Sequence, residues 1–185
     1  MHKNYLHNIK NIVTVFAVTM FFSCNNNFKD VQQVGVLQNQ PIGIAEHINL
    51  KYTDSGLVKA NLISSKMLDY SNRDFAYSEF PEGINLILFD KDKNKTVITS
   101  NYAIHYSESN LIDLRGNVVL ATHKKDTLYT EQLYYNEKLE WIFTDKPFRF
   151  RSDIQNALGL HLDSDIDFSN PQIIEMNDSE FQLDN

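Results

Sequence analysis

Cysteine is almost missing from this 185-residue chain, Cys24 being the single one. That excludes a disulfide framework and a thiolate metal cluster. Six glycines and four prolines are too few for a fibrous or low-complexity chain, and they offer no phosphate-cradling loop. Cationic residues are scarce as well: 17 Lys and Arg stand against 24 Asp and Glu, a formal charge of −7. No basic stripe exists to grip a nucleic-acid backbone. The longest apolar run, residues 12–22, falls short of the roughly 20 residues a membrane-crossing helix needs.

Signs of chemistry are missing too. There is no Gly-x-Ser-x-Gly turn to present a nucleophile. Beyond the N-terminus, His47, His105, His123 and His161 never fall at the spacing of metal ligands. Asp163-Ser-Asp-Ile-Asp167 begins like a calcium loop, but Phe168 and Ile174 occupy the places where Gly and Glu are required. In Asp90-Lys-Asp-Lys-Asn94 the lysines oppose a cation, and Asn101 stands at the twelfth place. The sequence therefore points to a protein that is not an enzyme and implies no cofactor and no metal.

The N-terminus carries an export pattern. His2, Lys3, His7 and Lys10 precede the apolar run, no acid occurs before Cys24, and Ser23-Cys24 follows. A basic start and a short apolar core match a secretory signal. With cysteine at the cleavage point, residues 1–23 resemble a bacterial lipoprotein signal, which makes Cys24 the expected lipid-attachment residue. Phe21 and Phe22 stand where smaller residues are commoner. A retained membrane anchor and an incidental thiol are the alternatives. Residues 24–40, opening on Asn25-Asn-Asn27, read as a polar tether, with a short helix over 29–38 as the other reading.

What the chain does have is β-forming content: 12 Phe, 9 Tyr, and polar clusters between short alternating runs. Turns are expected at 53–56, 90–95, 107–110, 123–126 and 136–138. Only 64–70 leaves strand and short helix both open. Three stretches read alike: 98–106, 128–136 and 155–163. Each places a small residue (Ser100, Thr130, Ala157) three before an apolar one (Ala103, Leu133, Leu160). Each then closes on Tyr106, Asn136 or Asp163. Spacings of 30 and 27 residues mark a stacked supersecondary unit.

A second half follows each copy, at 111–120, 139–150 and 172–183. In each, two short alternations flank a polar break: Ile112 and Leu114 then Val118 and Leu120; Trp141 and Phe143 then Phe148 and Phe150; Ile174 and Met176 then Phe181 and Leu183. Period two puts such residues on one strand face, and the break is where the strand bends. A degenerate fourth copy precedes them, with Val58 and Ala60, then Ile84, Leu86 and Leu88. The expectation is one all-β domain over 41–185, its inward face either a closed core or a partly accessible trough.

Phe80-Pro-Glu-Gly-Ile84, Phe89-Asp90, Ser100-Asn-Tyr-Ala103, Leu114-Arg-Gly-Asn-Val-Val119 and Gly159-Leu-His-Leu-Asp-Ser-Asp165 together resemble the LptC family over roughly 40–185. The similarity is greatest to its Bacteroidetes-type members. The resemblance implies a twisted, open β-jelly-roll, shared with LptA, in the periplasm and anchored to the inner membrane. It implies a component of lipopolysaccharide export that receives lipopolysaccharide from an inner-membrane ABC transporter. The cargo would pass to an LptA-like bridge protein by edge-to-edge pairing. The edge near 42–52 would face the transporter and the edge near 173–183 the bridge. Acyl chains would lie against Ile112, Leu114, Val118, Leu120, Leu128, Leu133, Trp141, Phe143, Phe148 and Phe150. Family members usually carry a transmembrane helix where this chain has a short run and Cys24. The alternative function is a structural envelope lipoprotein acting only as a protein-interaction module.

Overall fold

The structure, a computed structural model, describes residues 40–153 and 156–173. The signal, Cys24, nearly all of the tether, Ile174, Met176, Phe181 and Leu183 lie outside the described residues, as does most of the expected C-terminal edge.

Thirteen antiparallel strands make up the described chain: β1 (Gly43–Asp54), β2 (Leu57–Tyr70), β3 (Tyr77–Phe80), β4 (Ile84–Phe89), β5 (Lys95–Ser100), β6 (Tyr102–Tyr106), β7 (Leu111–Ala121), β8 (Thr127–Asn136), β9 (Trp141–Thr144), β10 (Phe148–Arg151), β11 (Asn156–Gly159), β12 (Leu162–Asp165) and β13 (Gln172–Ile173). The fold is all-β, and no helix occurs among the described residues. The open 64–70 stretch is the end of β2.

The pairings resolve into a simple meander. Long β7 pairs with β6 through its first half and with β5 through its second. β8 divides its far edge in the same way between β9 and β10, and β2 divides its own between β3 and β4. The pairs β3–β4, β5–β6, β9–β10 and β11–β12 are thus single ribbons, each broken once, beside unbroken β1, β2, β7 and β8. Every ribbon pairs with its neighbours in sequence, crosses from one half-sheet to the other, and bends between them. Sheet I runs from the first half of β1 through β3, β6, β9 and β12 to β13. Sheet II runs from the second half of β1 through β4, β5 and β10 to β11. This is a twisted β-jelly-roll.

The bends have local causes. His47, Gly83, Gly116 and Asn117 take positive φ at the bends of their ribbons. In β7, Gly116 and Asn117 together oppose Glu131, because the register changes by one between Arg115 and Val118. That is a β-bulge, which bends and twists a strand. Ser64 Oγ on β2 donates to the Gly83 carbonyl at 2.7 Å, and the Asn101 amide donates to the Gly116 carbonyl at 3.0 Å. These bonds tie neighbouring bends together.

The core is a set of straight cross-strand rows. In sheet II, Leu50, Leu62, Leu86 and Ile98 face one another in series, and the row continues through Leu120, Leu128, Phe150 and Ala157. In sheet I, Phe80, Ala103, Leu114 and Leu133 form the matching row. Burying each large aliphatic chain contributes about 1.5–3 kcal/mol, so these rows dominate the stability.

The rows correct the expected repeat register. Phe148 faces both Thr130 and Gly159, so Gly159, not Ala157, is the counterpart of Thr130. The third copy therefore runs Gly159, Leu162, Asp165, two residues later than expected. Leu162 is buried beside Thr144, while Leu160 lies in the break. The fourth copy shifts too: Ser64, Met67 and Tyr70 on β2 repeat the pattern of Ser100, Ala103 and Tyr106.

Candidate functional site

Eight of the residues expected on the inward face are there. Ile112, Leu114, Val118, Leu120, Leu128, Leu133 and Phe148 are buried in one cluster, and half-buried Phe150 packs against it. Trp141 and Phe143 are not. Ile142 and Thr144 take the inward positions of β9, with Ile142 fully buried, so their odd-numbered neighbours point outward. Phe143 stacks on Tyr134 at a centroid distance of 4.8 Å, and Trp141 Nε1 donates to Asp163. The phase of alternation is kept across the break at 145–147, so Ile142, Thr144, Phe148 and Phe150 all face inward. Aromatic bulk suggested a core face, but Phe148 stands five positions after Phe143, an odd offset that puts the two rings on opposite faces.

The interior is graded from end to end. Across the middle ribbons Ile98, Leu114, Leu120, Leu133 and Ile142 have no exposed surface. Toward the N-terminal end the same face opens: Leu50 is 49% exposed and Tyr52 is 65% exposed. Among the described residues β1 pairs only with β2, leaving its other edge unpaired. At the far end β11 pairs only with β10, and no described pairing joins it to β12 or β13. Unpaired edges of this kind are templates for another strand.

At the C-terminal end the tips of the two sheets are joined across a seam. There the β12–β13 turn crosses that seam. Phe168, at positive φ, packs edge-on against Phe150 of sheet II at 4.9 Å. Asp167 pairs with Lys124 of the β7–β8 turn at 3.4 Å, and the Ile166 amide donates to the Glu140 carbonyl. Hydrogen bonds from Ser169, with Lys124 adding to them, hold the Asp167 carboxyl below the usual range.

Polar groups on the outer face of sheet I are linked to one another. Asp113 is buried yet accepts bonds from Arg115 and from Gln132 Nε2 at 2.9 Å. Tyr102 donates to Glu79 at 2.9 Å, and burial with that bond pushes its hydroxyl up to about 12. Burial likewise raises Tyr135. Asp163 and Asp165 lie on β12, not in a loop. Asp90 closes its own turn by accepting bonds from Asp92 and Asn94. Among the described residues no three His, Cys, Asp or Glu side chains gather as metal ligands. No helix there is long and apolar enough to cross a membrane.

A β meander with a continuous apolar interior and, among the described residues, unpaired edges on β1 and β11 defines a protein of the jelly-roll class. The chain belongs to the LptC family: the model described as lipopolysaccharide-assembly, LptC-related, matches residues 12–175. The family is a lipopolysaccharide-transport family, periplasmic and associated with the inner membrane, and not one of enzymes. No curated protein matches the chain.

Proposed function

We propose that this protein receives lipopolysaccharide from an inner-membrane ABC transporter and hands it to an LptA-like bridge protein. The carrying observation is the unbroken apolar row of sheet II that links an exposed N-terminal mouth at Leu50 to Phe150 near the other end. An acyl chain crossing water needs such shelter, since each buried CH₂ is worth about 0.8 kcal/mol. The free edge of β1 is the expected docking strand for the transporter, and the C-terminal edge near 173–183 for the bridge protein. Anchoring through a lipidated Cys24, or through a membrane segment, holds the fold at the inner membrane. Because the middle of the interior is sealed, chains pass only when the two sheets part along the seam. Energy for that comes from ATP hydrolysis in the transporter.

The test is photocrosslinking in cells. A photoreactive residue in place of Leu62 or Phe150, both inward-facing, is expected to capture lipopolysaccharide, and one at outward-facing Phe143 is not. Capture at Phe143 alone would show that the cargo does not use the interior. The sealed middle also favours a second reading, a structural envelope lipoprotein that binds only proteins. It requires that a fluorescent fatty acid fail to bind the protein, whereas the transport reading requires binding.

A further inference from the structure

The two outer faces of the jelly-roll carry opposite charge. On the outer face of sheet I, Glu46, Glu79, Asp113, Asp163 and Asp165 outnumber Lys66 and Arg115. On the outer face of sheet II, alternation places Lys51, Lys95, Arg149 and Arg151 and no carboxylate. In a chain with seven more acids than bases, a face of that size without an acid is a departure from composition. Its margins are mixed: the turns carry Lys91, Lys93 and Lys125 beside Asp90, Asp92 and Asp126, and Glu131 stands at the bend.

The arrangement within the face is ordered too. One outer row runs from Lys51 and Asn61 through Ile87, Val97 and Ala121 to Thr127 and Arg151. The next places Val119, Tyr129 and Arg149 in series and ends on Leu158. Ile63, Tyr129 and Leu158 are 37%, 42% and 46% exposed. The face is a broad β surface, apolar at its centre and cationic at its flanks.

We propose that the outer face of sheet II rests on a bilayer surface bearing anionic headgroups. Lysine and arginine near such a surface are drawn to it within a Debye length, and Tyr and aliphatic side chains suit the interfacial zone. Chain length supplies the second argument. Residues 24–42 join the apolar run to β1, and even fully extended they reach only about 65 Å. The fold is thereby held close to whatever membrane the N-terminus enters, where weak surface contacts take effect. The acidic face of sheet I then points away from the membrane. This orientation is independent of how lipopolysaccharide is passed.

Trp141, the single tryptophan, lies on the outer face of sheet I and serves as the built-in control. The full chain is reconstituted through its N-terminus into brominated phosphatidylcholine vesicles, with or without phosphatidylglycerol. A Tyr129→Trp, Trp141→Phe variant places the reporter on the opposite face. Fluorescence of this variant is expected to be quenched in the anionic vesicles and restored by salt, while the wild-type protein stays bright in both. Each cation removed among Lys51→Glu, Lys95→Glu, Arg149→Glu and Arg151→Glu is expected to lower surface contact about fivefold. Hydrogen exchange on the unmodified chain is the second readout, with added protection of 51–53 and 156–158, on the unpaired edge strands of that face, expected only on anionic vesicles. No quenching and no protection there overturns the proposal, as does equal quenching of both faces. Contact that survives reversal of all four charges overturns it too. A face that serves an acidic protein would give the first of these results.

Discussion

A β-carbon built on Gly83 would stand 2.1 Å from the carbonyl oxygen of Ser100. The two residues sit at adjacent bends, and the absence of a side chain at Gly83 lets the ribbons close on each other. Gly83→Ala is expected to destabilise the fold by on the order of 3 kcal/mol, since the obstacle is backbone and φ is positive. Gly56, also at positive φ, has open space around it, and Gly56→Ala should cost only about 1 kcal/mol. Urea unfolding of both variants measures the difference.

The phase of β9 makes a second prediction. Ile142→Ala should cost about 2–4 kcal/mol, because it removes a fully buried side chain from the sheet I core. Phe143→Ala, which loses only a surface stacking contact with Tyr134, should cost about 1 kcal/mol. A larger loss from Phe143 in thermal or denaturant melts would mean that the aromatic faces inward.

The seam should respond to its closing turn. Phe168→Ala removes the ring that bridges to Phe150, so amides of β10 and β12 are expected to exchange faster while the middle strands stay protected. Acid acts on the same turn. Asp167 has a folded pKa below its unfolded value, so its stabilising effect is present above about pH 4 and lost as pH falls through the lowered value. Asp167→Asn should therefore lessen the drop in melting temperature measured below pH 4.

Alkali should loosen the other flank. The folded pKa of Tyr102, about 12, exceeds the unfolded value of about 10, and Tyr135 is raised by burial as well. Stability from such groups is complete below about pH 10 and declines as pH rises toward the folded value. Tyr102→Phe and Tyr135→Phe should each flatten that decline in melts taken between about pH 9 and 11. An unchanged slope would show that neither phenol is shielded.

Alternation carried much of the fold into the sequence. Ile112, Leu114, Val118 and Leu120 read correctly because the polar break between the pairs holds a β-bulge that keeps both on the inward face. Trp141 and Phe143 misled because hydrophobicity cannot tell an outer aromatic stack from a core position; inward positions are even-numbered on both sides of the break at 145–147, which leaves both rings outside. The third repeat slipped by two residues because Ala157 and Gly159 are both small and both buried. Only cross-strand pairing with Phe148 tells them apart. The opposite charges of the two outer faces were invisible along the chain, because outward residues of separate ribbons become neighbours only after the bends are made.

Since every described ribbon bonds only to those beside it in the chain, assembly needs no distant segment to be found before a nearby one is useful. A hairpin can close as soon as its second strand exists, and each later strand adds to a template already standing. A polypeptide delivered end-first could therefore take shape during delivery, with its newest margin always the one left free for a neighbour.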